Sequence, residues 1–198
     1  ERRDRSILFW KSLPVSDLTT VLAKAAVPLL VLPAVVLAVV AGGHLIVLAW
    51  STLVVLAGGL SVAELWDRLS LGFMWLVLVL AMPILALWFA PVVAWLLLVS
   101  AWARRMPLLW AIAPLVVLGV FERVTLGTTH VFDFLDWRLT GGLAHAFSVK
   151  AQGQVPVDGP ADLDPGRFLA SPDLWFGLVV AGLLIAATVR LRRSRDPI

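Results

Sequence analysis

The sequence predicts an all-α integral membrane protein, and three observations carry that expectation. Hydrophobic residues make up 61% of the chain and charged ones only 15%, against about 45–50% and about 25% in soluble domains. Four stretches hold no Asp, Glu, Lys or Arg: residues 25–63, 69–103, 106–121 and 174–189. The charged residues gather between those stretches instead of being spread along the chain.

A bilayer core of about 30 Å takes about 20 helical residues, so the first two stretches are long and the last two short. The short ones reach the interface through snorkelling of Arg105, Arg123 and Arg190. Splitting 25–63 at Gly42-Gly43 would leave almost no loop. Splitting 69–103 at Pro91 would leave a second helix of only about 18 Å. Pro83 and Pro91 are instead expected to kink one helix. Four spans are therefore expected, with six as the alternative. In "PVSDL" Ser16 and Asp17 are expected to start the first helix. In "ASPDLW" Ser171 caps, Pro172 takes the first helical position and Asp173 complements the dipole of the last.

Charge sets the expected sidedness. Residues 1–24, Arg104-Arg105 and residues 190–198 together carry +7, while residues 64–68 and 122–173 carry −4. The positive-inside rule then puts both ends of the chain in the cytoplasm. Trp66, Trp75 and Trp175 fall at the outer interface, and Trp102 and Trp110 at the inner one. The net charge of +3 and pI of about 10.2 would point to nucleic acid in a soluble protein. Here the basic residues flank apolar spans, so the partner is the lipid bilayer and no nucleic acid is expected. The chain begins at Glu1 with neither an initiator Met nor a signal peptide, and is expected to be the C-terminal part of a longer protein.

The chemistry of enzymes is missing from the pattern. There are no cysteines, which excludes disulfides and thiolate metal sites. No phosphate-binding G-x-x-x-x-G-K-[ST], H-E-x-x-H or G-x-S-x-G occurs, so no catalytic residue is expected. Within the charge-free stretches the ionisable residue is His44, beside Gly42-Gly43, and its expected role is helix packing. In "HVFDFLDWRLTGGLAHAF" (130–147), His130, Asp133, Val131, Phe134 and Leu135 recur at helical spacing. An amphipathic segment at the outer surface is expected there. The segment also carries Asp136 and His145; a metal site from His130, Asp133 and His145 is the alternative, but a helix break at Gly141-Gly142 leaves its geometry unset, and none is expected. Residues 151–166 carry every turn signal of a loop.

The front of the chain, "ERRDRSILFWKSLPVS", places Phe9 and Trp10 among charges and stops at Pro14. Asp4 is expected to cap a short helix over residues 5–13, which Pro14 ends. Ile7, Trp10 and Leu13 then share one side. An interfacial helix with its aromatics in the headgroups is one reading; a helix inserted into a groove on a cytoplasmic partner is the other.

This segment resembles the cytoplasmic coupling helix of ABC-2-type transporter permeases, on Glu1-Arg2, the short helix, "SLPVS" and Lys24. The resemblance extends to "WLLLVSAWARRMPLLW" (95–110), to the outer segment before the last span and to the "SPDLW…RLRR" ending. It implies that this chain corresponds to spans three to six of a six-span permease, with a re-entrant outer element over 127–147. It also implies a dimer of ABC ATPase subunits as partner, in contact with Arg5, Ser6, Phe9, Trp10, Lys11, Ser12, Leu13 and Pro14, and a second permease half. ATP and Mg would sit on the ATPase, and no cofactor on this chain.

The organisation expected is a coupling-helix segment at 1–17, spans within 18–121 with a cytoplasmic turn at 104–106, and an extracytoplasmic segment at 122–172. A last span at 173–190 and a cytoplasmic tail at 191–198 complete it. Function is expected to be the permease part of an ATP-driven exporter in a bacterial inner membrane, the 13 arginines against 3 lysines hinting at a GC-rich genome. The alternative is a polytopic scaffold or accessory subunit without transport. Apolar, charge-poor spans suit lipid-like or amphipathic cargo.

Overall fold

A computed structural model of the chain describes residues 16–63, 66, 71–103, 105–146 and 165–194. Among them the structure is all-helical: α1 (Asp17–Ala26), a π-helical turn (Val27–Val31), α2 (Leu32–Ala57), α3 (Leu71–Trp102), α4 (Pro107–Leu126), α5 (His130–Ala146), α6 (Pro165–Ala170) and α7 (Pro172–Ser194). Four helices are long and apolar enough to cross a membrane, namely Asp17–Ala57, Gly72–Trp102, Pro107–Leu126 and Pro172–Ser194.

Each boundary has a local cause. Ser16 is extended and its hydroxyl accepts from the Thr19 N–H at 3.1 Å, so α1 starts where the sequence places a cap. Pro28 and Pro33 each remove an N–H from the ladder, and the chain between them widens, with the Leu32 N–H donating to the Val27 carbonyl. The helix continues through this turn and through Gly42-Gly43 as one 41-residue rod, Asp17–Ala57. It stops in a Schellman motif: Gly59 is left-handed (φ 68°), its N–H donates to Leu56 O at 3.1 Å, and Leu60 N–H donates to Val55 O at 3.1 Å. In the same way α3 passes through Pro83 and Pro91 unbroken. Each long apolar stretch is thus one helix, and among the described residues the six-span alternative has no counterpart.

Two boundaries differ from the sequence expectation. Helix α4 runs past the charge-free stretch through Glu122 and Arg123 to Leu126, where Gly127 at φ 67° ends it. Helix α7 begins at Pro172 as expected, but the Ser171 hydroxyl turns back and donates to Phe168 O at 2.7 Å. That bond joins Ser171 to α6.

Helices α3 and α7 form the spine of the bundle, making the most extensive contact. Small residues fill its seams: Ala94, Ala103, Ala111, Gly119, Gly177 and Ala181 are all buried. This is how helices associate when lipid supplies no hydrophobic driving force and close backbone approach must. Large apolar side chains point outward instead, with Ile46 72% and Leu183 67% exposed. Hydroxyls in the spans bond their own helix, Thr52 to Leu48 O at 2.8 Å and Thr188 to Leu184 O at 2.7 Å, so they need no water.

The basic clusters meet at one end of the bundle. Trp95 and Trp102 of α3 lie with Ala187 and Leu191 of α7 around one groove, and Trp102 meets Trp110 of α4 edge-on at 5.3 Å. The start of α1 joins them, with Asp17 Oδ1 3.7 Å from Arg192 Nε. The exposed Arg105 lies in the α3–α4 turn at this same end.

Candidate functional site

The other half of the bundle holds its largest buried side chains, Trp88, Phe168 and Leu174, packed with Ile84. Against Trp88 lies a buried cation. Arg138, on α5, is 7% exposed and Trp88, on α3, not at all. The two residues exchange hydrogen bonds: Trp88 Nε1–H donates to the Arg138 carbonyl at 2.8 Å, and Arg138 Nη2 donates to the Trp88 carbonyl at 2.6 Å. The guanidinium carbon also lies 4.4 Å from the centre of the Trp88 ring and 6.0 Å from that of Trp137. Trp137 meets Trp88 edge-on at 5.1 Å.

Sequence makes this geometry available in two ways. Pro91 has no N–H for the Leu87 carbonyl, and its ring loosens the turn that contains the Trp88 carbonyl. A carbonyl with a spare lone pair is there for the guanidinium. Glycines supply the space: a Cβ on Gly142 would lie 2.7 Å from Trp88 Cδ1, and one on Gly177 would lie 2.6 Å from Arg138 Nη2. The Gly141-Gly142 pair therefore does not break the helix as expected. Helix α5 continues to Ala146, and the pair is where α3 presses against it.

Burial pushes the Arg138 guanidinium below its ordinary arginine pKa, and the Asp173 carboxylate opposes that shift. The group remains cationic all the same, because arginine does not deprotonate in proteins. It can hold a position or an anion, and it cannot serve as a general base.

A second buried charge fixes the approach of α5. Glu122, near the end of α4, accepts from the Thr128 hydroxyl at 2.6 Å and from the backbone N–H of His130 and Val131, both at 2.8 Å. One carboxylate thus caps the N-terminus of the next helix. Thr129 adds a hydroxyl bond to Asp133 at 2.9 Å. The far end of the Phe132 ring then presses on Gly119, where a Cβ would come within 2.6 Å of it. The result is a tight α4–α5 hairpin that turns α5 back alongside α4 and the middle of α3.

The residues singled out from sequence fare differently. Arg5, Ser6, Phe9, Trp10, Lys11, Ser12, Leu13 and Pro14 lie outside the described residues. His44 faces Trp75 edge-on at 6.1 Å between α2 and α3, a packing contact. His130 contributes its backbone N–H to Glu122, and Asp133 accepts from Thr129. Among the described residues no group of three or more His, Asp or Glu could hold a metal ion. The sequence alone assigns no site role to Arg138, Trp88 or Glu122. The signal for Arg138 was its place on the stripe Val131, Leu135, Arg138, Gly142, which faces inward while Phe134 and Leu139 face out.

The fold defines a class: an all-helical chain whose four long apolar helices fit a multi-pass membrane protein. In comparisons with known proteins the chain matches no family model, no curated protein and no solved structure.

Proposed function

We propose that this chain is the permease part of an ABC-2-type ATP-driven exporter, contributing spans three to six and receiving the stroke of a separate ATPase dimer through residues 5–14. The observation that carries the proposal is the α4–α5 hairpin. Held by Glu122 and by the Trp88–Arg138 pair, it turns back beside α3 ahead of the last long helix, where the family resemblance calls for a re-entrant element. The common position of the α1 start, the α3–α4 turn and the α7 end at the basic end of the bundle supports it too. By the positive-inside rule that end faces the cytoplasm of a bacterial cell.

In this mechanism ATP closes the partner dimer, the movement is passed through residues 5–14, and the spans shift between two states. Hydrolysis takes place on the partner, with ATP and Mg bound there. A second permease half completes the pathway. The test is to look for an ABC ATPase gene beside its own and to co-express the two: a stable complex with ATPase activity is expected. Recovery of this chain with no bound ATPase, or a gene neighbourhood without one, would favour a scaffold or accessory subunit instead.

A further inference from the structure

The groove between α1 and α7 has a composition that no packing role accounts for. It is lined by Leu18 of α1 and by Ala186, Val189, Arg190 and Arg193 of α7, and encloses about 450 Å³. The four α7 residues form one stripe at helical spacing, apolar toward the middle of the bundle and cationic at its end. Asp17, the carboxylate nearest this groove among the described residues, is engaged by Arg192 at 3.7 Å. Arg190 and Arg193 are exposed, and among the described residues neither has an ion-pair partner. Beside the groove the surface is apolar and outward-facing, with Leu22 47% and Leu183 67% exposed.

We propose that this groove binds an anionic phospholipid. Its phosphate sits between Arg190 and Arg193, and the first carbons of its chains lie on Leu18, Ala186 and Val189. Charge complementarity selects the occupant. Two guanidiniums at the polar end of an apolar helix match a phosphodiester at the boundary of the hydrocarbon, where each basic residue adds attraction to an anionic surface. A soluble anion would leave the apolar floor bare, and a zwitterionic lipid brings its own ammonium against both arginines. The bound lipid would hold α1 against α7 at the level of Leu18, beside the start of α1. This inference stands on α1 and α7 alone and is independent of the transport proposal.

The experiment is lipid titration of the purified chain in neutral detergent, read by native mass spectrometry, with phosphatidylglycerol, phosphatidylcholine and inorganic phosphate as separate probes. Phosphatidylglycerol is expected to bind at least about tenfold more tightly than phosphatidylcholine, and millimolar inorganic phosphate should not displace it. The double variant Arg190→Gln/Arg193→Gln should weaken phosphatidylglycerol about 25-fold, roughly fivefold for each arginine, and leave phosphatidylcholine unchanged. Arg190→Lys/Arg193→Lys keeps the charge and should stay within about threefold of the parent, which separates charge loss from misfolding. Arg123→Gln, exposed on α4, should have no effect. Equal binding of the two lipids, an unchanged double variant, displacement by inorganic phosphate, or an equal loss in Arg123→Gln would each overturn the proposal.

Discussion

Trp88 and Arg138, fifty positions apart in the chain, each donate a side-chain hydrogen bond to the other's backbone carbonyl, at 2.8 and 2.6 Å. The arrangement ties a helix too short to span to the middle of one that can. It also buries a cation against an aromatic face, 4.4 Å from the ring centre.

If this pair holds α5 in place, its two halves should couple. Trp88→Phe removes one donor and should cost about 1 kcal/mol, the usual net value of a hydrogen bond. Arg138→Met removes the other bond and the charge over the ring, and should cost about 1–3 kcal/mol. The double variant should cost less than the sum by at least about 0.5 kcal/mol, since both single changes weaken the same ring–cation contact. Thermal unfolding of the four proteins in one detergent measures the cycle, and strict additivity would show that the residues act separately.

Glycine substitutions should sort by space. Gly142→Ala forces a Cβ to 2.7 Å from a Trp88 ring that has no exposed face to move toward, and should destabilise by about 1–3 kcal/mol. Gly42→Ala and Gly43→Ala place a methyl where nothing lies within 4 Å. In mid-helix these should be neutral or stabilising by up to about 1 kcal/mol. The comparison uses the same chemistry at three sites and is read by melting temperature.

Glu122→Gln keeps the shape of the side chain and removes the charge that caps α5. The prediction is faster amide exchange at His130 and Val131, whose N–H groups it accepts, with exchange in α3 and α7 unchanged. Exchange rates equal to the parent's would mean that the hairpin holds without the carboxylate.

His44 is predicted to be structural. Its ring meets Trp75 at 6.1 Å, so His44→Ala should cost no more than about 1 kcal/mol of stability and leave function intact. Loss of function in a variant that melts like the parent would assign His44 a direct role.

Sidedness can be tested cleanly because the chain has no cysteine of its own. In intact cells Gln154→Cys should react with an impermeant thiol reagent, and Ser194→Cys should react only after the membrane is opened. The reverse pattern would invert the topology drawn from the +7 and −4 charge groups.

What the sequence made legible follows from what is local. Charge-free runs located the long helices, and Ser16 and Pro172 marked two starts, because hydropathy and capping act within one or two turns. Pro28 and Pro33 were visible as residues, yet their widened turn depends on two prolines sharing one gap in the ladder. Gly141-Gly142 suggests a break because glycine weakens an isolated helix, whereas in the bundle it admits the Trp88 ring from another helix. Arg138 and Glu122 entered only as charges in a tally of sides. Their roles come from partners fixed by tertiary contact, and for Arg138 that partner is Trp88 on a distant helix.

The central claim, that residues 5–14 couple this bundle to an ATPase, is tested most directly by recovery of that ATPase on the parent chain and on Trp10→Ala. An aromatic anchor in a desolvated groove typically costs at least about 2 kcal/mol when truncated, roughly a thirtyfold loss of affinity. Trp10→Ala is therefore expected to insert normally, held by its four long apolar helices, and to lose most of the bound ATPase. Equal recovery of the ATPase on both chains would contradict the coupling role and the transport proposal built on it.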